Sequence, residues 1–157
     1  MDGKLFLGTA HFLKDKGTNE ADYRSSISRA YYACFLEARR IAFGNCGERV
    51  REKAKIWNEK YIGHENLQYF LKQSAIERIR QLGENLAGLH GNRKNADYDM
   101  TKSVSSQDAK DALDEAGEFL KDISQISPKE IGQSIENYLN EIYPNKNSPF
   151  AALKNQE

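Results

Sequence analysis

Apolar residues recur at three- and four-residue steps along almost the whole chain, and no stretch alternates apolar and polar positions with the β-branched enrichment of a strand. The spacing predicts an all-α protein. A first helix over about residues 3–15 offers Leu5, Phe6, Phe12 and Leu13 and stops at Gly17. Asn19 caps a second helix that runs to about Phe43 and ends at Gly44, the residue type expected just past a helix C-terminus. Its stripe of Tyr23, Ile27, Ala30, Tyr31, Cys34, Ala38 and Ile41 is widened by Tyr32, Phe35 and Phe43, which marks it as the central helix, touching more than one neighbour.

Residues 48–61 read as a shorter amphipathic helix with Val50, Ala54, Trp57 and Tyr61 on one side. From His64 to about His90 the period is again helical, with a break expected near Ser74 and with Gly83 and Gly88 weakening continuity. Ser105 with Asp108 forms a capping box ahead of Ala109, Ala112, Leu113, Ala116, Phe119, Leu120 and Ile123. Ser127, Pro128 and Glu130 open a last helix that Pro144 ends. The pattern gives an up-and-down bundle of about five helices in one domain over residues 1–143. A flexible tail follows over 144–157, in which Phe150 and Leu153 are candidate docking residues.

At 157 residues the chain supports one core. No run approaches the roughly 18–20 apolar residues of a membrane span, and charge arrives too early for a signal peptide, so a cytoplasmic protein without a membrane partner is expected. Cys34 and Cys46 lack a CxxC or a histidine at metal spacing and read as reduced and structural. The zero net charge is unevenly spread: residues 1–23 carry −1, residues 24–94 carry +7 and residues 95–157 carry −6, with all nine arginines in the middle section. Arginine's planar fork suits phosphate, so this section is a candidate anion-binding surface; basic helices packed beside acidic ones would give the same distribution.

Dinucleotide, Walker, HExxH, nucleophile-elbow and EF-hand signatures are absent, and His11, His64 and His90 come from distant segments, so neither metal nor cofactor is expected. Candidate chemistry gathers in Leu89 to Asp99. If that stretch is helical, His90, Arg93 and Asp97 stand at i, i+3 and i+7, and an imidazole, a guanidinium and a carboxylate share one face suited to phosphate. The plainer reading makes Arg93 and Asp97 an exposed i, i+4 ion pair and Tyr98 a core aromatic with a polar tip.

The segments SRAYYACFLEARRIAF (Ser28 to Phe43), HENLQYF (His64 to Phe70) and LHGNRKNADYD (Leu89 to Asp99), in that order, resemble the HEPN superfamily, the higher-eukaryote and prokaryote nucleotide-binding domains, in its small stand-alone prokaryotic branch. The resemblance covers about residues 1–125. It implies a homodimeric helical bundle that binds RNA or a nucleotide in a toxin–antitoxin or defence module, often beside a small nucleotidyltransferase. Arg29, Tyr32, Arg93, Asp97 and Tyr98 are then the binding residues. Many HEPN proteins are metal-independent ribonucleases in which an arginine is followed, after four to six residues, by a histidine. Here those positions hold Tyr98, Asp99 and Met100, so a ribonuclease would have to pair Arg93 with His90 or His64 as its catalytic groups. The remaining alternative is a non-catalytic adaptor for a nucleotidyltransferase, with Tyr98 as a nucleotide acceptor.

Overall fold

The computed structural model of the protein describes residues 3–45 and 63–142. Within them are six helices and no strand: α1 (Gly3–Lys16), α2 (Glu20–Asn45), α3 (His64–Lys72), α4 (Glu77–Tyr98), α5 (Ser106–Ser124) and α6 (Pro128–Ile142). The expected all-α class holds. The helix expected over 48–61 and the tail over 144–157 lie outside the described residues.

The second helix starts where Asn19 dictates. Asn19 Oδ1 accepts from the Asp22 amide at 3.1 Å, and Asp22 Oδ2 accepts from the Thr18 amide at 2.9 Å, so two donors at the helix start are satisfied together. It does not stop at Gly44: the helix includes Asn45, whose Nδ2 donates to the Ile41 carbonyl at 2.8 Å. The stripe read from the sequence is buried from Ile27 through Ala30, Tyr31, Cys34 and Ala38 to Ile41, and α2 touches each of the other five helices.

The face of α1 differs from the expectation. Leu5 and Phe12 are 68% and 64% exposed. Gly3 and Ala10, seven residues apart, meet α2 instead. A Cβ on Gly3 would stand 2.6 Å from the Ala33 carbonyl oxygen, and Ser26 Oγ donates to the Ala10 carbonyl at 2.8 Å. So close a helix pair admits only small residues at the seam, which turns Leu5 and Phe12 outward and leaves Phe6, Leu7 and Leu13 half-buried.

The expected break around Ser74 is present between α3 and α4, where Ser74 Oγ and Ser134 Oγ of α6 lie 2.5 Å apart in the interior. Beyond it α4 runs without interruption through Gly83, Gly88 and Gly91 to Tyr98. Gly83 is there for contact: a Cβ would sit 2.7 Å from the Lys72 amide nitrogen and 3.0 Å from the Leu71 carbonyl carbon, both backbone. At Gly88 a Cβ meets nothing within 4 Å. Alanine at either site gains up to about 1 kcal/mol of helix propensity. At position 83 the clash, of order 1–3 kcal/mol, outweighs that gain. Urea denaturation should therefore find Gly88→Ala more stable than the parent and Gly83→Ala less stable; equal midpoints would refute the contact.

At α5, Ser105 Oγ accepts from the Asp108 amide and Asp108 Oδ2 from the Ser105 amide, the capping box the sequence predicts. Cys34 is buried, its Sγ donating to the Ala116 carbonyl at 3.6 Å, and desolvation pushes its thiol pKa up, so it is a packing residue linking α2 and α5. None of the described helices is long and apolar enough to cross a membrane.

Candidate functional site

Because α4 is helical to Tyr98, His90, Arg93 and Asp97 do share a face, and that face meets α2. Arg93 Nε lies 2.7 Å from Asp97 Oδ2, the two side chains being 15% and 23% exposed. The charges touch, but the N–H is not aimed along the contact, so Nε has no aligned hydrogen-bond acceptor. Ser28 Oγ of α2 donates to the same carboxylate oxygen at 3.3 Å. The Arg93 guanidinium stands 5.1 Å from the Tyr98 ring centroid and 5.6 Å from that of Tyr32, while Nη2 donates to the Tyr98 hydroxyl at 3.3 Å. Burial opposes its charge, but Asp97 and the phenols of Tyr32 and Tyr98 outweigh that and raise the Arg93 pKa.

Arg29 approaches Tyr32 as well, 5.5 Å from its centroid and 5.6 Å from the Phe6 ring of α1. The five residues read from the sequence as a binding set, Arg29, Tyr32, Arg93, Asp97 and Tyr98, thus form one cluster across two helices, α2 and α4. The plainer reading of this stretch is half right. The Arg93–Asp97 pair exists, though largely shielded from water, whereas Tyr98 is 69% exposed and belongs to no core.

His64 and His90 join the cluster from α3 and α4. Their rings are nearly parallel, with centroids 5.3 Å apart, and His90 stacks on Tyr31 at 5.0 Å. His64 Nδ1 lies 2.5 Å from the Tyr31 hydroxyl, and its ring packs 4.0 Å from Phe35 and edge-on to Tyr32 at 5.8 Å. Tyr31 has no exposed surface, and burial pushes its phenol pKa far up, the nearby Gln68 amide opposing. The phenol therefore stays protonated, and it shares a short hydrogen bond with Nδ1 that ties α2 to α3. Gln68 Nε2 is close to that hydroxyl without being aligned on it and is buried with no hydrogen-bonded acceptor.

Tyr31 and Phe35 read as core from the sequence, and Arg39, whose guanidinium stands 5.1 Å over the Phe35 ring, carries no motif of its own. The available signal was position: Arg39 lies on the α2 face that carries Arg29, Tyr32 and Phe35.

The carboxyl end of α4 is fixed by Arg24 of α2. Its Nη1 donates to the carbonyls of Ala96 at 2.7 Å and Asp99 at 3.1 Å, its Nη2 to that of Lys102 at 2.5 Å, and its Nε to Glu20 Oε1 at 2.8 Å. A single guanidinium thus satisfies carbonyls at the end of α4 and in the loop beyond.

His90 is held below its ordinary pKa of 6.5, chiefly by burial, then by Lys94 and Arg93, with Glu65 of α3 partly opposing. Above pH 6.5 it is neutral in both folded and unfolded chains. As pH falls below that, the unfolded chain takes up the proton first, so this residue lowers stability until its folded pKa is passed. Thermal melts between pH 7 and pH 5 should show a decline that His90→Gln reduces; an unchanged decline in the variant would show that other groups cause it.

Among the described residues no group of three or more His, Cys, Asp or Glu side chains is placed to hold a metal ion. A cavity of about 420 Å³, lined by Gln73, Ile76, Glu130, Gln133, Asn137 and Tyr138, opens between the α3–α4 joint and α6. It shares no residue with the arginine–tyrosine cluster, and the convergence of charged and titratable groups makes the cluster the candidate site. No family model, curated protein or solved structure matches the chain.

Proposed function

We propose that the chain is a HEPN-like helical domain that binds RNA or a nucleotide through the Arg29–Tyr32–Arg93–Tyr98 cluster. It would act as a homodimer in the cytoplasm, in a prokaryotic toxin–antitoxin or defence module. The observation that carries this reading is the placement of the Arg93 guanidinium between two tyrosine rings, with Arg29 at one of the same rings. Cations held on aromatic surface beside an exposed phenol suit a ligand that is both anionic and flat, and a phosphate attached to a base is such a ligand.

Asp97 limits the grip. It lies at the Nε edge of Arg93, so a phosphate would meet the Nη1–Nη2 edge of a guanidinium whose charge is already shared with a carboxylate. The test is binding of a fluorescent single-stranded RNA at rising salt. Two phosphate contacts, by Arg29 and Arg93, predict a log–log slope of about −1.4 and a loss of about sevenfold between 50 and 200 mM salt. No binding at low salt, or binding indifferent to salt, overturns the proposal.

A second reading, a metal-independent ribonuclease, is favoured by one observation, the parallel imidazoles of His64 and His90 beside Arg93. Cleavage by transesterification needs a base for the 2′-hydroxyl and an acid for the leaving oxygen. His90, kept neutral by its depressed pKa, suits the first role, and Arg93 the phosphorane charge. Purified protein incubated with RNA in EDTA decides it: cleavage lost in His90→Ala and Arg93→Ala supports an enzyme, and intact RNA after long incubation leaves binding alone.

A further inference from the structure

We infer that Arg39 is a third cationic anchor of this site, after Arg29 and Arg93, and that the ligand is therefore a single strand of several nucleotides in preference to a mononucleotide. The inference rests on the phosphate-binding reading above. Arg29, Tyr32, Phe35 and Arg39 succeed one another on α2 at steps of three, three and four, which keeps them within about a third of the helix circumference.

Their contacts are continuous. Arg39 lies over Phe35 at 5.1 Å, Phe35 packs on His64 at 4.0 Å, and His64 meets Tyr32 edge-on at 5.8 Å. Tyr32 in turn carries both Arg29 and Arg93. One row of rings thus joins three guanidiniums, with the His64 imidazole in the row and His90 packed against it. Phe35 is buried beneath this row, so it supports Arg39 instead of stacking a base.

The ten residues from Arg29 to Arg39 advance about 15 Å along the helix axis at 1.5 Å each. A nucleoside monophosphate has one phosphate and reaches one end of the row. A stacked strand rises about 3.4 Å per nucleotide and covers the row with about four. Guanidiniums seated on rings lose less freedom when they close on a phosphate, so the added contact carries affinity as well as charge.

The test uses the full chain, its Arg39→Gln and Arg93→Ala variants, and three probes: AMP, ATP and tetrauridylate. Tetrauridylate should bind at least about tenfold more tightly than AMP, the value of one charge-assisted contact. Arg39→Gln should lose about that factor for tetrauridylate and lower its salt slope by about 0.7, while leaving AMP binding unchanged. Arg93→Ala should weaken both ligands. AMP or ATP binding as tightly as the tetranucleotide overturns the inference, and so does an Arg39→Gln variant that binds tetrauridylate like the parent or loses AMP equally. Failure of every probe with the parent chain instead removes the phosphate-binding reading, and this extension with it.

Discussion

Replacing Arg93 by alanine is expected to weaken RNA binding by about 10- to 100-fold at low salt, the value of one hydrogen-bonded charge at about 1.5–3 kcal/mol. The effect has two sources. A phosphate contact is lost, and the Asp97 carboxylate, 2.7 Å from Nε in the parent, is left to repel the ligand. The salt slope should become shallower by about 0.7. Arg93→Lys separates charge from shape: it retains the slope but not the planar group that Tyr32 and Tyr98 flank, so its affinity should fall between those of the parent and the alanine variant. Fluorescence anisotropy at three salt concentrations measures all of this. An alanine variant that binds like the parent would place the ligand elsewhere on the molecule.

Phe119→Ala is expected to produce the largest loss of stability, about 3–5 kcal/mol, because Phe119 has no exposed surface in the main core and the surrounding helices can close the void only in part. For a domain with about 5–15 kcal/mol in total, that is about a fifth or more of the whole. The melting midpoint should fall by about 10 °C. Tyr98→Ala is the contrast, since its ring is largely in water and its removal should shift stability by no more than about 0.5 kcal/mol. Urea denaturation of the two variants separates a residue that supports the bundle from one that only serves the site. Equal losses would contradict the burial described for both.

Much of the bundle follows from local rules. The α2 stripe needs only a 3.6-residue period, the Asn19 and Ser105 caps need only short-range hydrogen bonds, and the break at Ser74 follows from a serine-centred turn. Where local rules compete with packing, packing prevails. Gly44 marks a helix end by propensity, yet α2 continues through it. Leu5 and Phe12 belong inside by hydrophobicity, yet close approach at Gly3 and Ala10 turns them to solvent.

The site divides the same way. His90, Arg93 and Asp97 align because they lie on one helix, which spacing alone predicts. The meeting of His64 with Tyr31, 33 residues away, and of Arg29 with Phe6, depends on how α1 and α3 dock on α2. No local pattern encodes that. Tyr31 was legible as core and is core; its second role, orienting an imidazole, is carried by one hydroxyl oxygen that periodicity does not register.

The grip of Arg24 on the carbonyls of Ala96, Asp99 and Lys102 bears on how a partner molecule would be received. The stretch bearing Arg93, Asp97 and Tyr98 is already fastened to the helix bearing Arg29 and Tyr32, so the two walls are in register before anything arrives. Little disorder has to be quenched on docking, and contact free energy goes directly into residence. Severing that tie would loosen the cradle without touching any group that meets the guest.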